Sequence, residues 1–507
     1  MDSIVYFGPR FDELGLHGLE GARRGDDGSV TYVARGAAGI AWSRRVLPID
    51  DVARAVASIR GGPVDALVLD ARADVQRATR LLELLYPDGR MSGPILRRRI
   101  VGLVDEGDPG TEAAFALGQH GIGGVLVRPT AARLAARLDA LLSERGHGKI
   151  AVCLAGGGIE GLLYELGVLR ALDACLVDRS LVDFDLFFGI SAGAILGALL
   201  ANGVGPEEIL RALDGGSNRL EPIGRWDLFE PNLGEVGSRL VTLARELARG
   251  GSGPRGALSS LMRAVPTAAF SGRRLNLWLE RQLTRPGMSD RFDALRRPLF
   301  VGATDQDTSE AVVFGDDAHR HVPVHRAVRA SLALVPFYPP VRIDGRWYID
   351  GAFSRTTNMR VAAQQGATLA ILVDPLVPIR AAEPGYVRAR GGIFGAAQSL
   401  KALINGRFDK AVGAIAEMHP NVAFHLFRPE ADEMRILAGS PMKYFYRREI
   451  EQIAYEHTLD KIRVRYPQLA RDFALHGIAM RHPDTVGARA EEEPAHPAFV
   501  PSAIGIG

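Results

Sequence analysis

The sequence predicts an α/β protein, because apolar strand-like runs repeatedly pass through short glycine-rich turns into helical patterns. Lys149 to Leu154 is one such run, and it continues through Ala155, Gly156, Gly157 and Gly158 into a helical pattern from Leu162 to Leu172. Phe184 to Phe188 is a second; it enters Gly189-Ile190-Ser191-Ala192-Gly193 and leaves as a small-residue helix, Ala192 to Ala201. The third observation is the first 147 residues, which read strand, helix, strand, helix. Val64 to Asp70, Ile100 to Asp105 and Gly124 to Val127 are the strands, and Ala131 to Leu142 carries leucines at helical spacing.

The Gly-x-Ser-x-Gly turn carries the most chemical information. A strand that turns sharply into a helix needs small residues beside its serine, since a bulky neighbour would strike the elements being joined, and glycine tolerates the strained backbone. The helix beyond aims its N-terminal amides and positive dipole end at Ser191, which favours an alkoxide there. A tight packing turn with a chance serine is the alternative for this motif alone.

The glycine run upstream supplies a second part. Consecutive N–H groups in such a turn converge on an oxyanion, and the missing side chains let a substrate carbonyl approach. Phosphate cradling is the rival use, but the chain has neither the P-loop lysine nor a complete dinucleotide fingerprint with its acidic partner. No cofactor is expected.

The third part lies far along the chain. Val341 to Ile343, a turn at Asp344-Gly345, and Trp347 to Ile349 read as a hairpin that delivers Asp350 to Gly351-Ala352. Serine is a poor nucleophile until a base takes its proton, and a carboxylate does this where water is excluded and its basicity rises. Asp350 is the candidate base; a turn aspartate capping its own loop is the plainer use of Asp-Gly.

Together these blocks resemble the patatin-like phospholipase family, whose pattern is a glycine-rich loop, a GxSxG elbow and an Asp-Gly-Gly or Asp-Gly-Ala motif. The resemblance covers roughly residues 149 to 376 and includes Ala327 to Pro340, similar to the family's segment before its aspartate. It implies a three-layer α/β domain with a mainly parallel sheet, using a Ser-Asp dyad without histidine to hydrolyse lipid acyl esters. Ser191 would be the nucleophile, Asp350 the base, and Gly156, Gly157 and Gly158 the oxyanion donors. Gly189 and Gly193 would shape the elbow, and Gly161, Gly351 and Ala352 complete the motifs. One departure is Glu160, where the family usually carries Arg or Lys. A carboxylate there opposes a phosphate by about 1 kcal/mol per contact pair in water. Anionic phospholipids are therefore expected to be poorer substrates than neutral or zwitterionic acyl esters.

Two other readings compete. An α/β-hydrolase triad places a histidine after the acid, which points to His419 and His425. Neither sits in a glycine-rich or strand-end context, and His425 alternates like an ordinary strand residue. A regulated binding protein on an inactive scaffold is the non-enzyme reading, and the joint presence of Ser191, Asp350 and three glycines argues against it. His319, His321 and His325 cluster, but Pro323 interrupts them, and Asp305 and Asp307 do not complete a calcium loop, so no metal is expected.

The length, 507 residues, implies several units. The expected division is 1–147, a small α/β domain; 148–380, the catalytic domain; 381–484, a helical C-terminal extension packed on it, with helices at Ile393–Leu403 and Ile450–Tyr466; and 485–507, a disordered tail. The first unit resembles a response-regulator receiver domain, with Asp70 in the phospho-acceptor place and Arg128-Pro129 where that family has Lys-Pro. The paired acids that would hold magnesium are absent after the first strand, so a binding or dimerising role is expected rather than phosphotransfer. A net charge of +2 gives no case for nucleic acid. Cys153 and Cys175 make no disulfide framework, and no signal-peptide pattern opens the chain, so a cytoplasmic setting is expected. The insertion Glu221 to Leu283 carries Trp226, Phe229, Leu261, Phe270 and Trp278. These suit either a lid touching the inner face of the membrane or, more commonly, core packing. The sequence sets no oligomeric state.

Overall fold

The computed structural model describes residues 2–35, 41–61, 64–86, 97–143, 148–248, 267–379, 381, 383–430, 433 and 447–486, and it holds two sheets built around parallel strands. The N-terminal sheet contains β1 (Asp2–Phe7), β2 (Arg23–Arg24), β3 (Val30–Arg35), β4 (Ala41–Ile49), β5 (Ala66–Asp70), β6 (Ile100–Val104) and β7 (Val125–Val127). Their order is β2-β3-β4-β1-β5-β6-β7, parallel from β4 through β7. Helices α1 (Val52–Gly61), α2 (Val75–Leu85), α3 (Asp108–Gln119) and α4 (Ala131–Ser143) follow β4, β5, β6 and β7. Two hydrophobic clusters cover the two faces, which is why β5 and β6 read as continuous apolar runs.

The alternation of strand and helix expected here fails at one place. Between β1 and β4 the described chain makes two short 3-10 turns and the antiparallel pair β2–β3 instead of a helix. Gly15, Gly21 and Gly28 sit there at φ of 67°, 71° and 78°, a backbone that breaks a helix. Val30, Tyr32 and Ala34 then bury alternate side chains, the period of a strand.

The second unit runs β8 (Lys149–Leu154), α5 (Gly158–Cys175), β9 (Leu176–Val177), β10 (Leu186–Ile190), α6 (Ala192–Ala201) and α7 (Pro206–Leu213). An insertion follows with α8 (Arg225–Leu228), α9 (Leu233–Ala248) and α10 (Arg273–Leu283). Next come β11 (Leu299–Asp305), β12 (Ala311–Phe314), α11 (Val324–Ser331), β13 (Val341–Ile343), β14 (Arg346–Asp350), α12 (Met359–Gln364) and β15 (Ala367–Val373). The chain continues as α13 (Tyr386–Ala389), α14 (Gly391–Met418), β16 (Ala423–Phe427), α15 (Arg447–Ala474) and β17 (Ala479–Met480). The sheet order is β13-β14-β11-β10-β8-β15-β16, with β12 also on β11. From β11 to β16 it is parallel, and β14 returns antiparallel to β11.

Alternate residues of β8 enter different cores. Ile150, Val152 and Leu154 pack with α5 and α6, whereas Ala151 and Cys153 pack with Met359 and Ala362 of α12 and Val412 and Ile415 of α14. The result is the three-layer arrangement of helix, sheet and helix.

Beyond residue 380 the structure differs from an all-helical extension. β16 joins the catalytic sheet, and the helices are longer than the sequence suggested. α15 lies along α5 so closely that a Cβ on Gly167 would come within 2.4 Å of the Glu451 carbonyl oxygen. At its far end Arg471 reaches Asp2 of β1 at 2.8 Å and Asp65 at 2.5 Å, fastening the N-terminal unit to the same helix. The glycine-rich break at 250–254, Leu261 and the tail from 487 lie outside the described residues.

Candidate active site

β10 ends at Ile190 and α6 begins at Ala192, leaving Ser191 on the sharp turn between them with φ 52° and ψ −123°. A side chain there is costly, of order 1–3 kcal/mol, and such strain persists where the surroundings over-determine it. They do so here. A Cβ on Gly189 would lie 2.4 Å from the Ala194 Cα, and one on Gly193 would lie 2.5 Å from the Ala155 carbonyl oxygen. Only glycine fits at either position. The Ser191 amide donates to the Ser331 hydroxyl at 2.7 Å, which in turn donates to the Gly302 carbonyl at 2.6 Å.

Asp350 arrives from the other side. The turn Asp344-Gly345 has φ of 50° and 83°, the backbone a tight hairpin needs, and β14 carries the chain to Asp350 opposite Ala303. β11 lies between the serine's strand and the aspartate's, and Gly302 on β11 lets them meet. A Cβ on Gly351 would come within 2.4 Å of the Gly302 carbonyl oxygen, and one on Gly302 within 3.0 Å of Ile190. Gly302 was not singled out from sequence, although glycine inside a strand pattern marks close backbone approach.

The Asp350 carboxylate is 1% exposed. Its Oδ1 accepts the Ala352 amide at 2.9 Å, and its Oδ2 is buried without a hydrogen-bond partner among the described residues. Burial pushes its pKa up to about 6, while the nearby Ser191 hydroxyl and then the Ala352 amide pull it partly back. The hydroxyl falls outside strict hydrogen-bond geometry, a looseness common in sites without substrate. Among the described residues no cation contributes to the ionisation of Asp350.

The glycine loop closes the third side. A Cβ on Gly156 would lie 2.9 Å from the Ser191 Cβ, so the bare main chain passes directly over the serine. Gly157 and Gly158 open α5, and among the described residues their N–H groups are matched with no acceptor in the chain. Gly158 has φ +63°. Pro375 supports the loop: a Cβ on Gly157 would meet its Cγ at 2.7 Å, and one on Gly161 at 3.0 Å. Pro375 is set by Asp374, which accepts the Leu376 amide at 3.0 Å and pairs with Arg428 at 2.7 Å. Arg407 of α14 donates to the Ala352 and Phe353 carbonyls, each at 2.6 Å, gripping the turn after Asp350. The Ala-Ser end of the segment before the aspartate was legible as a likeness only; the tasks of Ser331, Asp374, Arg428 and Arg407 leave no local pattern.

Glu160 sits in the first turn of α5 and does not face substrate alone. Lys401 of α14 is close enough to feel its charge: burial lowers the ammonium pKa and Glu160 opposes that fall. The histidines lie elsewhere. His425 on β16 pairs with Asp472 at 2.9 Å. Its strand is three spacings from β10, about 14 Å at 4.7–4.9 Å each. His319, His321 and His325 pair with Asp316, Asp344 and Asp290, and Asp305 pairs with Arg346. Among the described residues no group of three potential ligands could hold a metal ion.

Beside the serine opens a cavity of about 100 Å³, with Gly158, Ala192, Leu220 and Glu221 among the residues that line it. Trp278 forms part of its wall, and Phe270 meets Phe229 edge-on at 5.3 Å and Tyr338 at a tilt at 6.0 Å. Of the insertion's aromatic residues considered for a lid, Trp226 stands exposed, at 53%.

Residues 152–363 match the family model of patatin-like phospholipase, so a domain of this family of lipid ester hydrolases occupies that span. A cUMP-AMP-activated phospholipase of Escherichia coli is 44% identical over 73 residues, 14% of this chain and 22% of its own length. The chain thus matches about a fifth of that relative. Among solved structures, VipD from Legionella pneumophila is similar at 15% identity over 62% of this chain and 66% of its own, with a TM-score of 0.28. Full-length SpcU in complex with full-length ExoU, from the type III secretion system of Pseudomonas aeruginosa, gives 16% identity over 55% and 54%, with a TM-score of 0.22.

Proposed function

We propose that the chain is a lipid acyl hydrolase of the patatin type working through Ser191 and Asp350. One observation carries the reading: a buried carboxylate with no cation beside it and one unpartnered oxygen stands at a serine on a strained elbow. With a pKa of about 6, Asp350 is ionised at neutral pH yet basic enough to take a proton. It removes the Ser191 proton as Oγ attacks the acyl carbonyl carbon. The negative charge that forms on the carbonyl oxygen meets the N–H groups of Gly157 and Gly158 and the positive end of α5, with Gly156 giving clearance. Asp350 then passes its proton to the departing alcohol. Water, deprotonated by the same carboxylate, releases the acid and restores the serine.

A fluorophosphonate probe tests this. It should label the chain, and Ser191→Ala should abolish the label; labelling that survives the substitution would refute the assignment.

Lys401 opposite Glu160 lowers the electrostatic cost of an anionic head group below what Glu160 alone would impose. The ranking expected is still zwitterionic and neutral esters ahead of anionic ones, read as turnover of matched phosphatidylcholine and phosphatidylglycerol vesicles. A peripheral place on the cytoplasmic face of a membrane belongs to the same proposal. It is supported by Trp226, Leu233 and Leu277, exposed on the insertion helices. No helix among the described residues is long and apolar enough to cross a bilayer. For the N-terminal unit we infer a binding or dimerising role without phosphotransfer, since the Asp70 carboxylate is occupied by Tyr6 and Arg72.

A further inference from the structure

β8 and β10 are parallel neighbours, so the helices that follow them, α5 and α6, leave the site side by side with both N-termini at Ser191. The cavity runs between them. Along α6 it touches Ala192, Ile195, Leu196 and Leu199, the spacing of a single helix face. At about 1.5 Å of rise per residue, Ala192 to Leu199 covers roughly 10.5 Å. An extended hydrocarbon chain advances about 1.25 Å per carbon, the projection of a bond of about 1.5 Å, so this wall measures about eight carbons.

Glu221 also lines the cavity, its carboxylate bound to Arg285 at 2.9 Å and Arg281 at 3.5 Å. Pushing a methyl group into that ionic cluster would strip water from charges without replacing it.

We propose that the site selects medium-length acyl chains of about eight carbons, and that side-chain size along α6 sets the limit. This rests on the acyl-hydrolase reading and names its substrate class. The residues act as marks on a scale: Ile195 lies about one turn from Ala192 and Leu199 about two.

The test uses the full chain and p-nitrophenyl esters of butyrate, hexanoate, octanoate, decanoate, laurate and palmitate, comparing kcat/KM. The natural protein should peak at octanoate, with palmitate at least tenfold slower. Ile195→Trp should move the peak to butyrate, Leu199→Trp to hexanoate, and Leu199→Ala toward laurate. That graded order is what a general loss of stability would not produce, and Ile195→Phe and Leu199→Phe repeat it if the tryptophan variants fold poorly. A natural peak at palmitate, or one unchanged profile across the variants, overturns the proposal while leaving the hydrolase intact. Absence of hydrolysis at every length, together with an unlabelled Ser191, overturns the hydrolase reading itself.

Discussion

Two aspartates in this chain occupy similar places and have opposite chemistry. Asp70 ends β5 of the N-terminal sheet and Asp350 ends β14 of the catalytic sheet; they are 2% and 1% exposed. Asp70 accepts two bonds from the Arg72 guanidinium, at 2.8 and 2.7 Å, one from the Arg72 amide at 3.1 Å, and the Tyr6 hydroxyl. Its charge is matched and its lone pairs are taken. Asp350 has one backbone amide and no cation, and burial raises its basicity. Burial alone therefore does not make a carboxylate catalytic. What separates the two is whether the fold also supplies a counter-charge.

The comparison is tested most severely at Asp350. Asp350→Asn keeps an acceptor for the Ala352 amide but cannot take a proton. The kcat on an acyl ester should fall roughly 10²- to 10⁴-fold, the range for a lost general base. In the natural protein kcat/KM should rise as pH climbs through about 6 and level off above it, because only the ionised carboxylate is a base. The variant should lose that limb. Stability should move the other way. A carboxyl whose folded pKa is raised from 3.8 to about 6 favours folding below pH 3.8 and loses that contribution as pH rises through 6. The loss amounts to about 3 kcal/mol at 1.36 kcal/mol per pH unit. The inactive variant should then melt several degrees higher at pH 8, and an unchanged melting temperature would contradict the desolvation account.

At Asp70 the pattern reverses. Arg72→Ala leaves a buried carboxylate without its cation, which typically costs about 3–5 kcal/mol. Chemical denaturation followed by fluorescence should show the N-terminal unit destabilised by that order, while ester hydrolysis stays within about twofold of the natural rate at 25 °C. A large fall in hydrolysis at a temperature where the variant is folded would mean that the two units are catalytically coupled, with the Arg471 contacts to Asp2 and Asp65 as the connection.

The proposed base also depends on the serine being held. Ser331→Ala strips the acceptor from the buried Ser191 amide, a loss of about 1–3 kcal/mol. A fall in kcat of roughly ten- to a hundredfold should result, with KM little changed and the pH limb near 6 retained. Retention of the limb separates a positioning role from a direct part in proton transfer.

Legibility followed the range of the constraint. Gly189 could be read because an added Cβ would strike Ala194 in the same turn, and Gly193 and Gly351 because they sit beside the serine and the aspartate in short motifs, although what an added Cβ there would strike, Ala155 and Gly302, lies far along the chain. The α/β class was readable because strand, turn and helix lie consecutively, whereas the three-layer plan came only with the family resemblance. Ser331 bonds a residue 140 positions away and Arg407 one 55 away, and such partners impose no spacing on their neighbours. Lys401 answers Glu160 across a longer gap still, which is why the glutamate looked isolated in the sequence. In the N-terminal unit, glycines between β1 and β4 replaced an expected helix with strands, and the pattern of Val30, Tyr32 and Ala34 becomes convincing only once β4 is beside it.

The smallest effect on catalysis is expected from the histidines that a triad would require. His425 is buried against Asp472, which Arg471 also binds at 2.9 Å, so its ring is committed to a structural cluster three strands from the serine. His419 ends α14. His425→Asn should lower stability, because Asp472 loses a partner in a buried site, yet at a temperature where the protein is folded kcat should stay within about twofold. His419→Ala should change neither. The decisive measurement is the pH profile of the double variant. If Asp350 alone takes the proton, the ascending limb near 6 persists unchanged; if a histidine relays it, the limb moves or vanishes. In that case the contrast between Asp350 and Asp70 would concern the orientation of a relay rather than the strength of a base.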